Sequence, residues 1–146
     1  MLALTGFDHI GIATASLSDS LHLYQETMGM TLVHREVLED QGVEVVLLAC
    51  GGQQVELLAP LRADSPVGKF LAERGPGLHH TAYRVPDLVA ALAECREAGL
   101  ELVDEAPRRG AGGHWVAFLH PRSTGRVLVE LIEGAANDGI DQVVPT

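Results

Sequence analysis

Two histidines and two glutamates stand at matched places in this 146-residue chain. His9 lies in FDHIGIAT and His80 in HHTAYRV, while Glu56 lies in QVELLA and Glu130 in RVLVELIE. All four runs are apolar and strand-like, and a carboxylate inside such a strand is costly unless it is paired. Brought to one centre, two imidazoles and two carboxylates suit one divalent metal: cobalt, manganese, nickel, zinc or iron. A single strand histidine is ordinarily a surface or hydrogen-bonded core residue, and a single VELL glutamate ordinarily faces solvent. The same two types recurring on equivalent strands of a repeat are a much rarer coincidence. His79 precedes His80 directly, and strand neighbours point to opposite faces, so at most one of them looks inward.

The elements that must position these residues form the repeat. Phe7–Thr14 reads as a strand. Ser16, with Asp19 three residues on, opens a helix that carries Leu17, Leu21, Tyr24 and Met28 at helical spacing and stops at Gly29. Strands follow over Thr31–Val37, Val43–Ala49 and Gln54–Ala59, the last two joined by a Gly51-Gly52 hairpin turn. Pro60–Pro76 interrupts, with a short helix capped by Ser65 and started by Pro66. From Gly77 the first order returns. A strand over His79–Val85 leads to a helix capped by Asp87 and ended by Gly99, then to strands in LELVDE (Leu100–Glu105), HWVAFLH (His114–His120) and RVLVELIE (Arg126–Glu133). Each half is therefore β-α-β-β-β. The expected organisation is one α+β domain over 1–146, with modules at about 7–59 and 77–133, a linker at 60–76 and a tail at 134–146.

Composition narrows the function classes. A net charge of -10 argues against nucleic acid, which needs a basic surface. No apolar run is long enough to span a bilayer, so no membrane partner is expected. The N-terminus lacks the charged-then-apolar pattern of a signal peptide, and Cys50 and Cys95 fit neither a metal spacing nor a disulfide framework. A reduced, cytoplasmic setting and a small-molecule substrate are expected.

Two βαβββ modules with His and Glu on first and last strands resemble the vicinal oxygen chelate superfamily, over about Phe7 to Glu133. Within it, the stretches DHIGIA, HRE…DQGVEVVLL, VELLAPL…DSPVGKFL, GLHHTAYRV, GAGGHWVAFLHP and GRVLVELIE are similar to the methylmalonyl-CoA epimerases. FLHPRSTGRVLVEL discriminates best, because glyoxalase I relatives usually carry an Asp-Pro-Asp-Gly turn there. The resemblance implies a curved eight-stranded mixed sheet around the metal, with helices outside, and often a homodimer. It places the second metal histidine seven residues before the helix-opening Asp87, which is His80, and leaves His79 outward.

The activity it implies is interconversion of the R and S epimers of methylmalonyl-CoA through a metal-stabilised enolate. Because the enolate is planar at the α-carbon, inversion needs an acid/base group on each face. The resemblance assigns Glu130 to one face and sets the second acid in the region of Glu44. An ungapped match puts Val45 there instead, and alternation turns Glu44 and Val45 to opposite faces. Arg84, Arg108, Arg109, Arg122 and Lys69 are candidates for the CoA phosphates. His114 and His120 are candidates for the substrate carboxylate, and Gly110–Gly113 for a flexible loop at the substrate mouth. His22 and His34 have no motif support, and Trp115 and Tyr83 read as core. The alternatives are a glyoxalase I-type lyase acting on a glutathione hemithioacetal and a metal-free binding protein of the same fold. A ring-cleaving dioxygenase would use two histidines and one carboxylate, so Glu56 counts against it.

Overall fold

The computed structural model describes residues 1–134, so the expected tail lies, from residue 135 on, outside the described residues. Eight strands form a mixed sheet in the order β2-β3-β4-β1-β5-β8-β7-β6. They are β1 (Gly6–Ala13), β2 (Thr31–Leu38), β3 (Val43–Cys50), β4 (Gln53–Pro60), β5 (Gly77–Val85), β6 (Arg108–Arg109), β7 (Trp115–Leu119) and β8 (Val129–Glu133). The helices are α1 (Leu17–Leu21), α2 (Pro66–Arg74) and α3 (Leu88–Glu97). Both halves run β-α-β-β-β and use the same internal strand order of first, fourth, third, second. β2, β3 and β4 pair antiparallel, as do β6 with β7 and β7 with β8, while β5 and β8 run parallel.

Two compact units divide the described chain, and their boundary cuts inside β1 and β5 instead of falling at the 60–76 linker. One is Ile10–His79. Its core is Val46, Leu48 and Leu57, covered by Ile12 of β1 and by Leu17, Leu21 and Tyr24. The other joins Met1–His9 to the chain from His80. There Leu88, Ala91, Leu92 and Cys95 of α3 pack on Val85, Ala117, Leu119 and Leu131. Burial raises the Cys95 thiol above its ordinary pKa, and both cysteines are free thiols.

The expected caps form. Ser16, Ser65 and Asp87 accept from the N–H groups of Asp19, Gly68 and Ala90, respectively. A Cβ on Gly68 would lie 2.6 Å from the Ala63 carbonyl oxygen, so this turn needs glycine for close approach. Gly51-Gly52 turns the β3–β4 hairpin, with Cys50 opposite Gln53.

Three elements differ from the sequence expectation. After Leu21 the first helix widens into a π-helix over His22–Thr27, in which the Met28 N–H reaches back to the Leu23 carbonyl at 2.9 Å. LELVDE does not form a strand, and only Leu102 makes a bridge, to Leu119. The reason is Asp104, whose carboxylate takes the Phe118 N–H at 2.8 Å and so uses the donor a neighbouring strand would need. The short strand beside β7 is Arg108–Arg109 instead. The last strand starts at Val129 and not at Arg126, because Arg126 adopts a left-handed backbone (φ 71°) and gives its N–H to Pro121.

Candidate metal centre

Pairing decides which side chains share a face. Ala82 of β5 lies opposite Glu130 of β8, which lies opposite Phe118 of β7. His80, Ala82 and Arg84 therefore share a face with Glu130 and Phe118. The other face, with Val85, Leu131, Ala117 and Leu119, is the one packed under α3. Residue alternation thus sets His80 inward, toward the ligands, and His79 outward, where its ring lies edge-on to Phe70 of α2 at 4.8 Å.

His9, His80 and Glu130 converge. The two Nε2 atoms are 3.0 Å apart, and Glu130 Oε2 lies 2.9 Å from His80 Nε2 and 3.3 Å from His9 Nε2. All three side chains are buried, as is Glu56. One ligand-capable atom from each of His9, Glu56, His80 and Glu130 lies within 4.8 Å of the others. The donor spacing fits a metal. Ligands about 2.1 Å from an ion are roughly 3.0 Å apart at right angles and roughly 3.4 Å apart in a tetrahedron, and the three observed edges of 2.9, 3.0 and 3.3 Å lie in or within about 0.1 Å of that range.

Asp8 completes the arrangement around His9. His9 Nδ1 lies 2.6 Å from Asp8 Oδ2, a contact that orients the ring and turns Nε2 toward the cluster. Arg84 in turn holds Asp8, with its Nε 3.6 Å from Oδ1, and its Nη2 donates to the Phe7 carbonyl at 2.9 Å. Asp8 was not singled out from sequence, although it opens the quoted DHIGIA stretch. Burial alone would push the Glu130 carboxyl upward, but hydrogen bonds from His80 and His9 and their nearby positive charge outweigh it. The carboxyl is held well below the usual carboxylate range and is ionised, as a metal ligand must be.

Glu44 does not join this group. Leu47 pairs with Glu56 and Val45 with Leu58, so Val45, Leu47, Glu56 and Leu58 share one face of β3 and β4. Glu44 points to the other face with Val46 and Leu48, and there it accepts from Arg35 Nε at 3.0 Å. The expectation of Glu44 as second base is corrected by strand parity. His34, set aside in the sequence, and Glu36, which the sequence did not single out, do lie on the Glu56 face. They are paired with Leu47 and Val45, and His34 Nε2 is 2.9 Å from Glu36 Oε2.

Most of the remaining candidates have other partners. Arg84 is buried and engaged with Asp8 and Phe7, a holding role and not the expected substrate contact. Arg108 shares the Glu130 face at the sheet edge, over the Phe118 ring and 3.2 Å from Asp104. Arg109 stacks on Trp115, which is exposed and not core as expected. Tyr83 packs partly buried against the α3 core, as expected. His120 caps the turn at Pro121 by accepting from the Arg122 N–H, and Arg122 itself is exposed, 3.6 Å from Glu101. His114 is half-buried at the end of the Ala111–Gly113 turn, and Lys69 is exposed on α2. His22 is exposed beside Glu26.

Known proteins resemble this chain over most of its length. Residues 8–118 match the family model of the glyoxalase/bleomycin resistance protein/dioxygenase superfamily. The crystal structure of methylmalonyl-CoA epimerase from Mycobacterium tuberculosis is 45% identical, covers 92% of this chain and 93% of its own, and superposes with a TM-score of 0.86. A Glu-to-Gln variant of the Streptomyces coelicolor methylmalonyl-CoA epimerase, in complex with 2-nitronate-propionyl-CoA, is 40% identical, with coverage of 92% and 100% and a TM-score of 0.87. An ethylmalonyl-CoA/methylmalonyl-CoA epimerase of Cereibacter sphaeroides is 36% identical over 85% of this chain and 94% of its own.

Proposed function

Because the chain belongs to the glyoxalase/bleomycin resistance protein/dioxygenase superfamily, we propose that it is a methylmalonyl-CoA epimerase whose metal ligands are His9, Glu56, His80 and Glu130. The observation that carries this reading is the convergence of two Nε2 atoms and a Glu130 oxygen within 2.9–3.3 Å in a buried position. Similarity to epimerases over nearly the whole chain supplies the substrate class.

The α-proton of a methylmalonyl thioester lies between a carboxylate and a thioester carbonyl. It leaves only if charge developing on those two oxygens is stabilised. When bound, a divalent cation supplies that stabilisation as a Lewis acid. The chain's own residues do the rest. Asp8, backed by Arg84, fixes the tautomer and orientation of His9. Phe118, edge-on to His80 at 5.4 Å, gives the site an apolar wall. Glu130, ionised at neutral pH, is the proton acceptor for one face of the α-carbon. A homodimer belongs to the reading on the resemblance, and a cytoplasmic location on the N-terminal pattern and the cysteines; among the described residues no helix is long and apolar enough to cross a membrane.

The test is the exchange of the α-proton of each methylmalonyl-CoA epimer with deuterated water, alongside metal stoichiometry. One metal per chain, with exchange and interconversion of both epimers, is expected. Metal-loaded protein that exchanges neither epimer but converts a methylglyoxal–glutathione hemithioacetal would make it a glyoxalase I-type lyase.

A further inference from the structure

We propose that Arg108 is a specificity-determining residue of the site, binding the carboxylate of a malonyl-type CoA thioester through its two Nη groups; this rests on the epimerase reading above. Arg108, Phe118, His80 and Glu130 all belong to the unit that joins Met1–His9 to the chain from His80. Pairing sets Arg108 opposite Val116 and Val116 opposite Ile132, one row from the Phe118–Glu130 pair and on the same face. Arg109, the other residue of β6, turns to the opposite face with Trp115.

Ring contacts tie Arg108 to the metal centre. Its Cζ lies 5.5 Å from the Phe118 ring centre, and the Phe118 ring stands edge-on to that of His80 at 5.4 Å. The two steps together keep the guanidinium no more than about 11 Å from the His80 ring. His80 Nε2 is in turn 2.9 Å from Glu130 Oε2. The malonyl head is the part of the substrate held at this centre, and its carboxylate is the anion within reach. The pantetheine arm carries the phosphates away from it.

The guanidinium is also oriented and accessible. Its Nε lies 3.2 Å from Asp104 Oδ1, while Asp104 Oδ2 accepts from the Phe118 N–H at 2.8 Å. One carboxylate therefore fixes the cation relative to the strand whose ring it covers. Among the described residues no hydrogen bond takes the Nη groups, and the side chain is 38% exposed. Arg84, the other arginine of this row, is closed by contrast: it is buried, with Asp8 and the Phe7 carbonyl as partners. A planar fork held over an apolar ring matches a carboxylate, which accepts two parallel N–H bonds. The same contact discriminates, because a thioester without the carboxylate gains nothing from it.

The experiment measures binding of malonyl-CoA, which carries the carboxylate, and of acetyl-CoA, which lacks it, by calorimetry. The proteins are metal-loaded wild type, Arg108→Met, Arg108→Lys and Arg96→Gln, with metal content measured for all four. Arg108→Met keeps an unbranched chain against Phe118 and removes the charge. It is expected to retain its metal and to bind acetyl-CoA within about twofold of wild type. Its affinity for malonyl-CoA should fall by about 10–100-fold, the usual effect of losing a hydrogen bond between charged groups. Arg108→Lys, which keeps the charge and loses the fork, should recover part of that loss. Arg96→Gln, which removes a charge from α3, should change neither affinity. In turnover, Arg108→Met should raise the KM for methylmalonyl-CoA more than it lowers kcat, because the carboxylate is held alike in substrate and enolate. If Arg108→Met weakens both ligands alike, or neither, while wild type prefers malonyl-CoA, Arg108 does not read the carboxylate and the epimerase reading stands. If wild type binds the two ligands equally, the reading and the proposal fall together.

Discussion

Removing the Asp8 carboxylate should weaken metal binding without touching a ligand. His9 Nδ1 and Asp8 Oδ2 are 2.6 Å apart, His9 is almost fully buried, and Asp8 is about one-fifth exposed. Such a contact orients the ligand ring and raises its basicity, and its loss ordinarily costs about 10–100-fold in metal affinity. At 1.36 kcal/mol per decade this is about 1.4–2.7 kcal/mol. Asp8→Asn keeps an oxygen that can accept from Nδ1–H, so it belongs near tenfold. Asp8→Ala leaves a buried N–H without its acceptor and takes from Arg84 its carboxylate neighbour, so it belongs near 100-fold. Competition against a chelating dye measures the affinity directly, with no dependence on turnover. Thermal unfolding of the metal-stripped variants separates orientation from folding. If both variants bind metal within about twofold of wild type while the stripped proteins melt lower, Asp8 anchors Arg84 and does not orient His9.

Three further outcomes follow from the same geometry. His80→Ala should lose its metal on dialysis, while His79→Ala, which removes a ring lying against Phe70, should retain it; the opposite result would shift the register of β5 by one residue. For metal-stripped protein, the depressed Glu130 carboxyl contributes stability that is fully present above the unfolded value of about 4.3. That stability is lost progressively as pH falls below it, so urea midpoints should drop from pH 6 to pH 3 and do so less steeply in Glu130→Gln. Leu57→Ala, which empties a fully buried position against Val46 and Leu48, should cost about 2–5 kcal/mol in denaturant unfolding, and a loss below 1 kcal/mol would mean the α1 layer closes over the gap.

The repeat made the centre of this protein legible in its sequence. His9, Glu56, His80 and Glu130 could be matched because each is a costly residue in an apolar strand, and because both halves carry the same element order. Caps at Ser16, Ser65 and Asp87 and the turn at Gly51-Gly52 are local hydrogen-bonding and backbone matters, settled within a few residues. What required the tertiary structure was everything set by a partner far along the chain. Asp104 replaces a strand ladder because the Phe118 N–H arrives beside it. Arg84 reads as a spare cation until β1 brings Asp8 and the Phe7 carbonyl to it. Glu44 and Val45 are equally plausible in sequence, and only pairing with β4 decides which shares a face with Glu56. The face taken by His34 and Glu36 was hidden for the same reason, because a one-residue bulge reverses the face of every side chain after it, and no local pattern records that shift.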